Sequence, residues 1–206
     1  MRLLAKVCGL ARPEDAALAA RAGADLLGFV VHPPSPRHCA DLAIAAPYLD
    51  RAVLVMVAGD GEAVLDMARR HGFRRVQPHL PAAARRHGAA LLRAAGLSLL
   101  LPWADEADQE PLPAELYLWE PSPARTGRPG GSGEAHAMVF PPPGPFLLAG
   151  GLDGTRLGPR AAALSEEVRP LLRGFDAASR LEASPGVKDP QRVAAFVTAA
   201  HRRELP

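Results

Sequence analysis

Leu3-Leu4-Ala5-Lys6-Val7-Cys8-Gly9-Leu10 opens the chain, and the residues after it decide how it is read. The run is short, apolar and closed by a cysteine, as a buried strand emptying into a loop would be. Ala11-Arg12-Pro13-Glu14-Asp15 then supplies a helix start, with proline in the first turn and acids behind it, and Gly23 stops that helix after Ala22. Asp25-Leu26-Leu27-Gly28-Phe29-Val30-Val31 is a second apolar run without clean polar alternation, which marks a strand buried on both faces. Strand, helix and strand in so few residues define a unit, and the rest of the chain repeats it.

After the proline-stiffened loop from His32 to His38, the spacing predicts a short helix over Asp41–Leu49, a strand over Ala52–Val57 and a helix over Glu62–His71 capped by Gly72. A fourth strand over Phe73–His79 precedes an alanine-rich helix over Ala82–Ala95, closed by Gly96, and a fifth strand over Leu97–Leu101. Residues 102–114 are acidic and proline-bearing, too short for a full helix with two loops, so the fifth helix is expected to be degenerate. Strand six reads over Glu115–Glu120, a Gly- and Pro-rich loop over Pro121–Gly133, and strand seven over Pro145–Ala149. A helix over Arg156–Arg173, strand eight over Gly174–Ala178 and a final helix over Asp189–Arg203 complete the series. Eight apolar strands alternating with helices predict an α/β fold, a (β/α)₈ TIM barrel with residues 1–206 forming a single phosphate-binding domain. A doubly wound open sheet is the alternative; the lack of G-x-G-x-x-G after the first strand counts against it.

Bulk composition narrows the function classes. The chain has 206 residues, 48% hydrophobic and 22% charged, with 24 basic against 22 acidic side chains for a net charge of +2. No basic block interleaved with aromatics argues for nucleic acid, and no apolar run approaches a membrane span. Two cysteines make no disulfide framework and no signal segment opens the chain, so a cytoplasmic location is expected. Arginine greatly outnumbers lysine, and only Lys6 and Lys188 are lysines. His32, His38 and Cys39 share one loop with no fourth ligand, so no metal site is expected.

In a barrel, chemistry belongs at the C-terminal ends of the strands and in the loops after them. Cys8 ends strand one, Arg37 follows strand two, His79 ends strand four, Glu120 ends strand six, and Asp176 to Glu182 lie at strand eight and its loop. Singly, each has a plain structural reading: Cys8 as a core filler, Arg37 as a surface cation, His79 as a loop histidine, Glu120 as a solvated acid. Their shared position at one end weakens those readings. Leu147-Leu148-Ala149-Gly150-Gly151-Leu152 is the strongest local signal, since two glycines after a strand let backbone N–H groups approach a phosphate; a simple tight turn is the alternative. It is not a P-loop, because no Lys-Ser/Thr follows this turn or Gly130-Gly131-Ser132-Gly133.

Several blocks together resemble the phosphoribosylanthranilate isomerases. They are Lys6-Val7-Cys8-Gly9-Leu10 with Arg12-Pro13-Glu14-Asp15-Ala16, Ala22-Gly23-Ala24-Asp25-Leu26-Leu27-Gly28-Phe29-Val30, Ser35-Pro36-Arg37, Val76-Gln77-Pro78-His79, Gly130-Gly131-Ser132-Gly133, the Gly150-Gly151 turn and Ser184-Pro185-Gly186-Val187-Lys188-Asp189. The resemblance implies a cofactor-free Amadori rearrangement in tryptophan biosynthesis, in which an acid opens the sugar ring and a base removes the C2′ proton of N-(5′-phosphoribosyl)anthranilate. By the same resemblance, Cys8 is the base, helped by Lys6 on the same strand face, and Glu120 stands where the family carries an aspartate acid. Arg37 would take the anthranilate carboxylate, Asp176 the anthranilate amine, and His79 would belong to the substrate site. Gly150, Gly151, Ser179 and Arg180 would hold the phosphate. The chain departs from the family pattern at Glu120, at Ala178-Ser179-Arg180 where Ser-Ser-Gly is usual, at Gln77-Pro78-His79-Leu80, and over Val53 to Gly61. The expected partner is a small phosphosugar–anthranilate substrate, with neither nucleic acid nor membrane, on a monomer or homodimer. A barrel that keeps the pocket but has lost turnover, acting as a binding protein, is the competing function class.

Overall fold

A computed structural model of the chain describes residues 2–104, 110–121 and 140–202. Eight parallel strands close into a barrel: β1 (Leu4–Cys8), β2 (Leu26–Val31), β3 (Ala52–Val57), β4 (Arg75–His79), β5 (Ser98–Ala104), β6 (Leu116–Glu120), β7 (Phe146–Leu148) and β8 (Leu172–Ala177). The predicted barrel is the observed one. Both strand faces are buried, which is why the sequence showed no clean alternation. Ala5, Val7, Phe29, Leu54, Trp119 and Phe175 pack outward with the helices in one cluster. Cys8, Leu26, Val53, Val55, Leu100, Leu118, Leu147 and Ala149 pack inward in a second.

Helices α1 (Pro13–Arg21), α2 (Gly61–His71), α3 (Ala82–Ala94), α4 (Leu157–Ala162) and α5 (Pro190–His201) connect the strands. Their starts are locally encoded: Asp60 accepts from the Ala63 N–H at α2, and Asp189 accepts from the Gln191 and Arg192 N–H groups at α5. Among the described residues, no helix is long and apolar enough to cross a membrane.

Four sequence expectations need correction. Asp41–Leu49 holds a 3-10 segment, Leu42–Tyr48, because Pro47 has no N–H to continue an α-helix. The helix expected over Arg156–Arg173 stops at Ala162. Pro170 breaks its far end, where a 3-10 turn (Arg169–Leu171) leads into β8 two residues earlier than expected. Strand five runs on through Pro102 to Ala104; β4 pairs only with Ser98 and Leu99, so the missing N–H of Pro102 falls where no ladder bond to β4 is required. A small antiparallel hairpin, β9 (Glu182–Ser184) and β10 (Val187–Lys188), follows β8 and had no counterpart in the sequence reading. The core of the degenerate fifth helix (105–109), most of the 121–133 loop, and Gly130-Gly131-Ser132-Gly133 lie outside the described residues.

Candidate active site

Register decides which side chains meet. The closing pair of the barrel sets Lys6 beside Asp176, β1 and β2 set Cys8 beside Gly28, and β5 and β6 set Ala104 beside Glu120. Lys6, Cys8 and Asp176 point inward at the C-terminal mouth, where the apolar interior gives way to polar groups.

Lys6 is fully buried and donates from Nζ to Asp176 Oδ1 at 2.6 Å. Burial works against its charge, but Asp176 and then Cys8 outweigh it, so the ammonium is held above its ordinary value. The Cys8 thiol is pushed up by burial, against Lys6, with Asp176 adding to the rise and Lys188 opposing it. It rests as a thiol beside two cations able to receive a thiolate. Gly28 makes room for it: a methyl group there would stand 2.8 Å from Cys8 Sγ.

Glu120 has its carboxyl pushed up to about 7, by burial first and then by the Asp176 charge, against the pull of Lys6. A carboxylic acid half-protonated near neutrality is tuned to donate a proton. His79 is pushed down to about 4 by burial and by the charges of Lys6, Arg85 and His32, so its imidazole is neutral at pH 7. Its Nε2 lies 3.0 Å from the Gln77 amide nitrogen. A cavity of about 180 Å³ at the mouths of β4 to β6 is walled by His79, Glu120, Pro102, Trp103 and Leu80, with Arg85 on its rim.

Arg37 is already engaged. Its Nε and Nη2 donate to the two carboxylate oxygens of Glu182 at 2.7 and 2.9 Å, and Lys188 Nζ donates to Glu182 Oε1 at 2.9 Å. Burial opposes the Glu182 charge, but the hydrogen bonds and charges of Arg37 and Lys188 prevail and hold its carboxyl below the usual range. The sequence reading missed Glu182 and Lys188 as site residues. A usable signal was present, because the chain's only two lysines both carry fully buried ammonium groups at this end of the barrel.

Gly150 and Gly151 follow β7 with φ of 91° and 63°, in the left-handed region that favours glycine. A methyl group at Gly150 would also strike the Pro121 ring at 2.5 Å. Asp153 holds the turn by accepting from the Thr155 N–H and hydroxyl and from the Arg156 N–H. Ser179 and Arg180 lie in a 3-10 turn, Ser179–Leu181, after β8. Thus Lys6, Cys8, His79, Glu120 and Asp176 share one mouth and one electrostatic neighbourhood. Arg37 joins them through Glu182 and Lys188, and the four phosphate candidates occupy the loops after β7 and β8.

No protein-family model matches the chain. Curated relatives match along its length. The N-(5′-phosphoribosyl)anthranilate isomerase of Nitrobacter winogradskyi is 33% identical over 99% of this chain and 95% of its own. That of Rhodopseudomonas palustris is 36% identical over 97% and 96%. Among solved structures, the phosphoribosyl anthranilate isomerase of Thermus thermophilus aligns with a TM-score of 0.75 at 27% identity, covering 96% of this chain and 98% of its own.

Proposed function

The chain belongs to the N-(5′-phosphoribosyl)anthranilate isomerase family, and on that premise we propose how its residues divide the reaction. The chain is an isomerase of tryptophan biosynthesis, converting N-(5′-phosphoribosyl)anthranilate to 1-(2-carboxyphenylamino)-1-deoxyribulose 5-phosphate. Glu120 protonates the furanose ring oxygen, the C1′–O bond breaks, and the anilinic nitrogen lone pair forms the iminium. The Cys8 thiolate takes the C2′ proton, the C2′–H electrons close the enolamine, and tautomerisation gives the ketone. Each positioned group contributes roughly 10² to 10⁴ in rate.

The remaining residues bind and tune. Lys6 and Lys188 stabilise the Cys8 thiolate, and Asp176 fixes Lys6 through Oδ1 while Oδ2 faces the anthranilate amine. Arg37 offers the carboxylate the donors that Glu182 leaves open, and the neutral His79 ring lies against the aromatic end. Gly150, Gly151, Ser179 and Arg180 take the phosphate, Arg180 adding the charge that a glycine at that place would lack. The steps use side chains of one chain alone, so a monomer meets this reading and so does a homodimer. A cytoplasmic setting goes with it, since Cys8 works only as a free thiol.

The observation that carries the assignment is the convergence of an acid at about 7, Glu120, with a buried thiol flanked by cations. The test is a fluorescence assay of phosphoribosylanthranilate loss. Cys8→Ala and Glu120→Gln are each expected to fall by at least about a hundredfold while the wild type turns over. Either variant retaining wild-type kcat removes its residue from the proposed role.

A further inference from the structure

The cavity beside Glu120 carries a charge that the proposed reaction leaves unused. Leu80, Pro102, Trp103 and the neutral His79 give its walls apolar surface on which an aromatic ring can rest, while the Glu120 carboxyl and Glu110, paired with Arg86, also line it. Among the described residues, several cations around the mouth are compensated: Lys6 by Asp176, Arg37 and Lys188 by Glu182, Arg86 by Glu110. Arg85, half-buried in the first turn of α3, differs. Among the described residues it makes no ion pair, it lines the cavity, and its charge is felt at the His79 ring.

We propose that Arg85 is a specificity-determining binding residue that grips the carboxylate of the aromatic end of the substrate from the β4 side. The inference rests on the isomerase reading. A half-buried guanidinium that no described carboxylate engages gains most from a planar carboxylate, which can take two parallel N–H bonds. Arg37 cannot offer its Nε–Nη2 edge, because Glu182 fills it in bidentate fashion. A second cation completes the recognition that the engaged one begins. The site then discriminates an aryl acid from the same ring without its carboxylate.

The test separates this inference from the activity on which it rests. Equilibrium binding of anthranilate and of aniline is measured on wild type, Arg85→Gln and Arg85→Lys, a readout independent of turnover. Arg85→Gln is expected to weaken anthranilate about tenfold or more and leave aniline unchanged, with Arg85→Lys recovering part of the loss. In turnover, Arg85→Gln is expected to raise KM for phosphoribosylanthranilate with kcat within about twofold, and to change nothing for the des-carboxy substrate N-(5′-phosphoribosyl)aniline. Unchanged anthranilate binding, or equal weakening of both ligands, overturns the proposal while wild-type turnover keeps the isomerase reading. An inert wild type that shows the anthranilate-selective loss does the reverse.

Discussion

Gly28→Ala tests the placement of the base without touching it. The added methyl group would stand 2.8 Å from Cys8 Sγ, 3.1 Å from its Cα and 3.2 Å from its Cβ. Comfortable contacts of this kind lie at about 3.5–4.0 Å, so sulfur and methyl must part by roughly 0.7 Å or more. Backbone movement is resisted, because Cys8 and Gly28 are register partners in the β1–β2 ladder. The thiol is the softer group and swings away from the C2′ position. A misplacement of about 1 Å costs on the order of a hundredfold in rate, so kcat in the fluorescence assay is expected to fall by that amount with KM within about threefold. Overpacking adds about 1–3 kcal/mol of destabilisation, read as a lower Tm. In the Cys8→Ala background the sulfur is gone, and Gly28→Ala should add little to the kinetic loss. Wild-type kcat in Gly28→Ala, or a further large loss in the double variant, would refute the reasoning.

Three other expectations come from the charges. The kcat/KM profile should rise to about pH 7, level there and fall again only where Cys8 ionises, above the ordinary thiol range. The rise follows the growing Cys8 thiolate fraction, and its levelling near pH 7 follows Glu120 losing the proton it must donate; in Glu120→Gln that break should vanish and residual activity should keep rising toward the Cys8 ionisation, whereas persistence of the break assigns it elsewhere. Glu120 also costs stability when charged. Its folded-state value lies above the unfolded one, so its contribution is full below about pH 4.5 and lost as pH rises to about 7, at most about 3 kcal/mol. Glu120→Gln should therefore raise Tm at pH 8 more than at pH 4, and an equal effect at both would count against a buried acid. Arg180→Gly should raise KM and weaken inhibition by inorganic phosphate while sparing kcat; unchanged phosphate inhibition removes Arg180 from the phosphate site.

The barrel was legible because its punctuation is local. Pro13, Asp60, Gly72, Gly96 and Asp189 each begin or end a helix through their own chemistry, and eight doubly buried runs read as parallel strands. Cys8, Glu120 and Gly150-Gly151 were legible as strand ends for the same reason. Non-local facts were hidden. That Glu182 occupies Arg37 depends on a hairpin following β8, and that Gly28 clears the thiol depends on β1–β2 register. The helix expected over Arg156–Arg173 carried Pro170 inside its span, where a missing N–H cannot continue an α-helix; in the chain the helix ends at Ala162 and a separate 3-10 turn, Arg169–Leu171, takes the proline. Arg85 was invisible as a site residue, being one arginine among many until the cavity singled it out.

The Lys6–Asp176 contact joins residues 170 positions apart across the seam where the last barrel strand meets the first. The bond that tunes the thiol is thus also the bond that records ring closure. During synthesis, seven strands can emerge and pair while Lys6 remains a cation without its counter-ion and Cys8 without its tuned neighbour. If Cys8 is the base as proposed, turnover is expected only once β8 docks, and a ribosome-bound chain stalled short of that strand should be chemically silent however much of the barrel it has built.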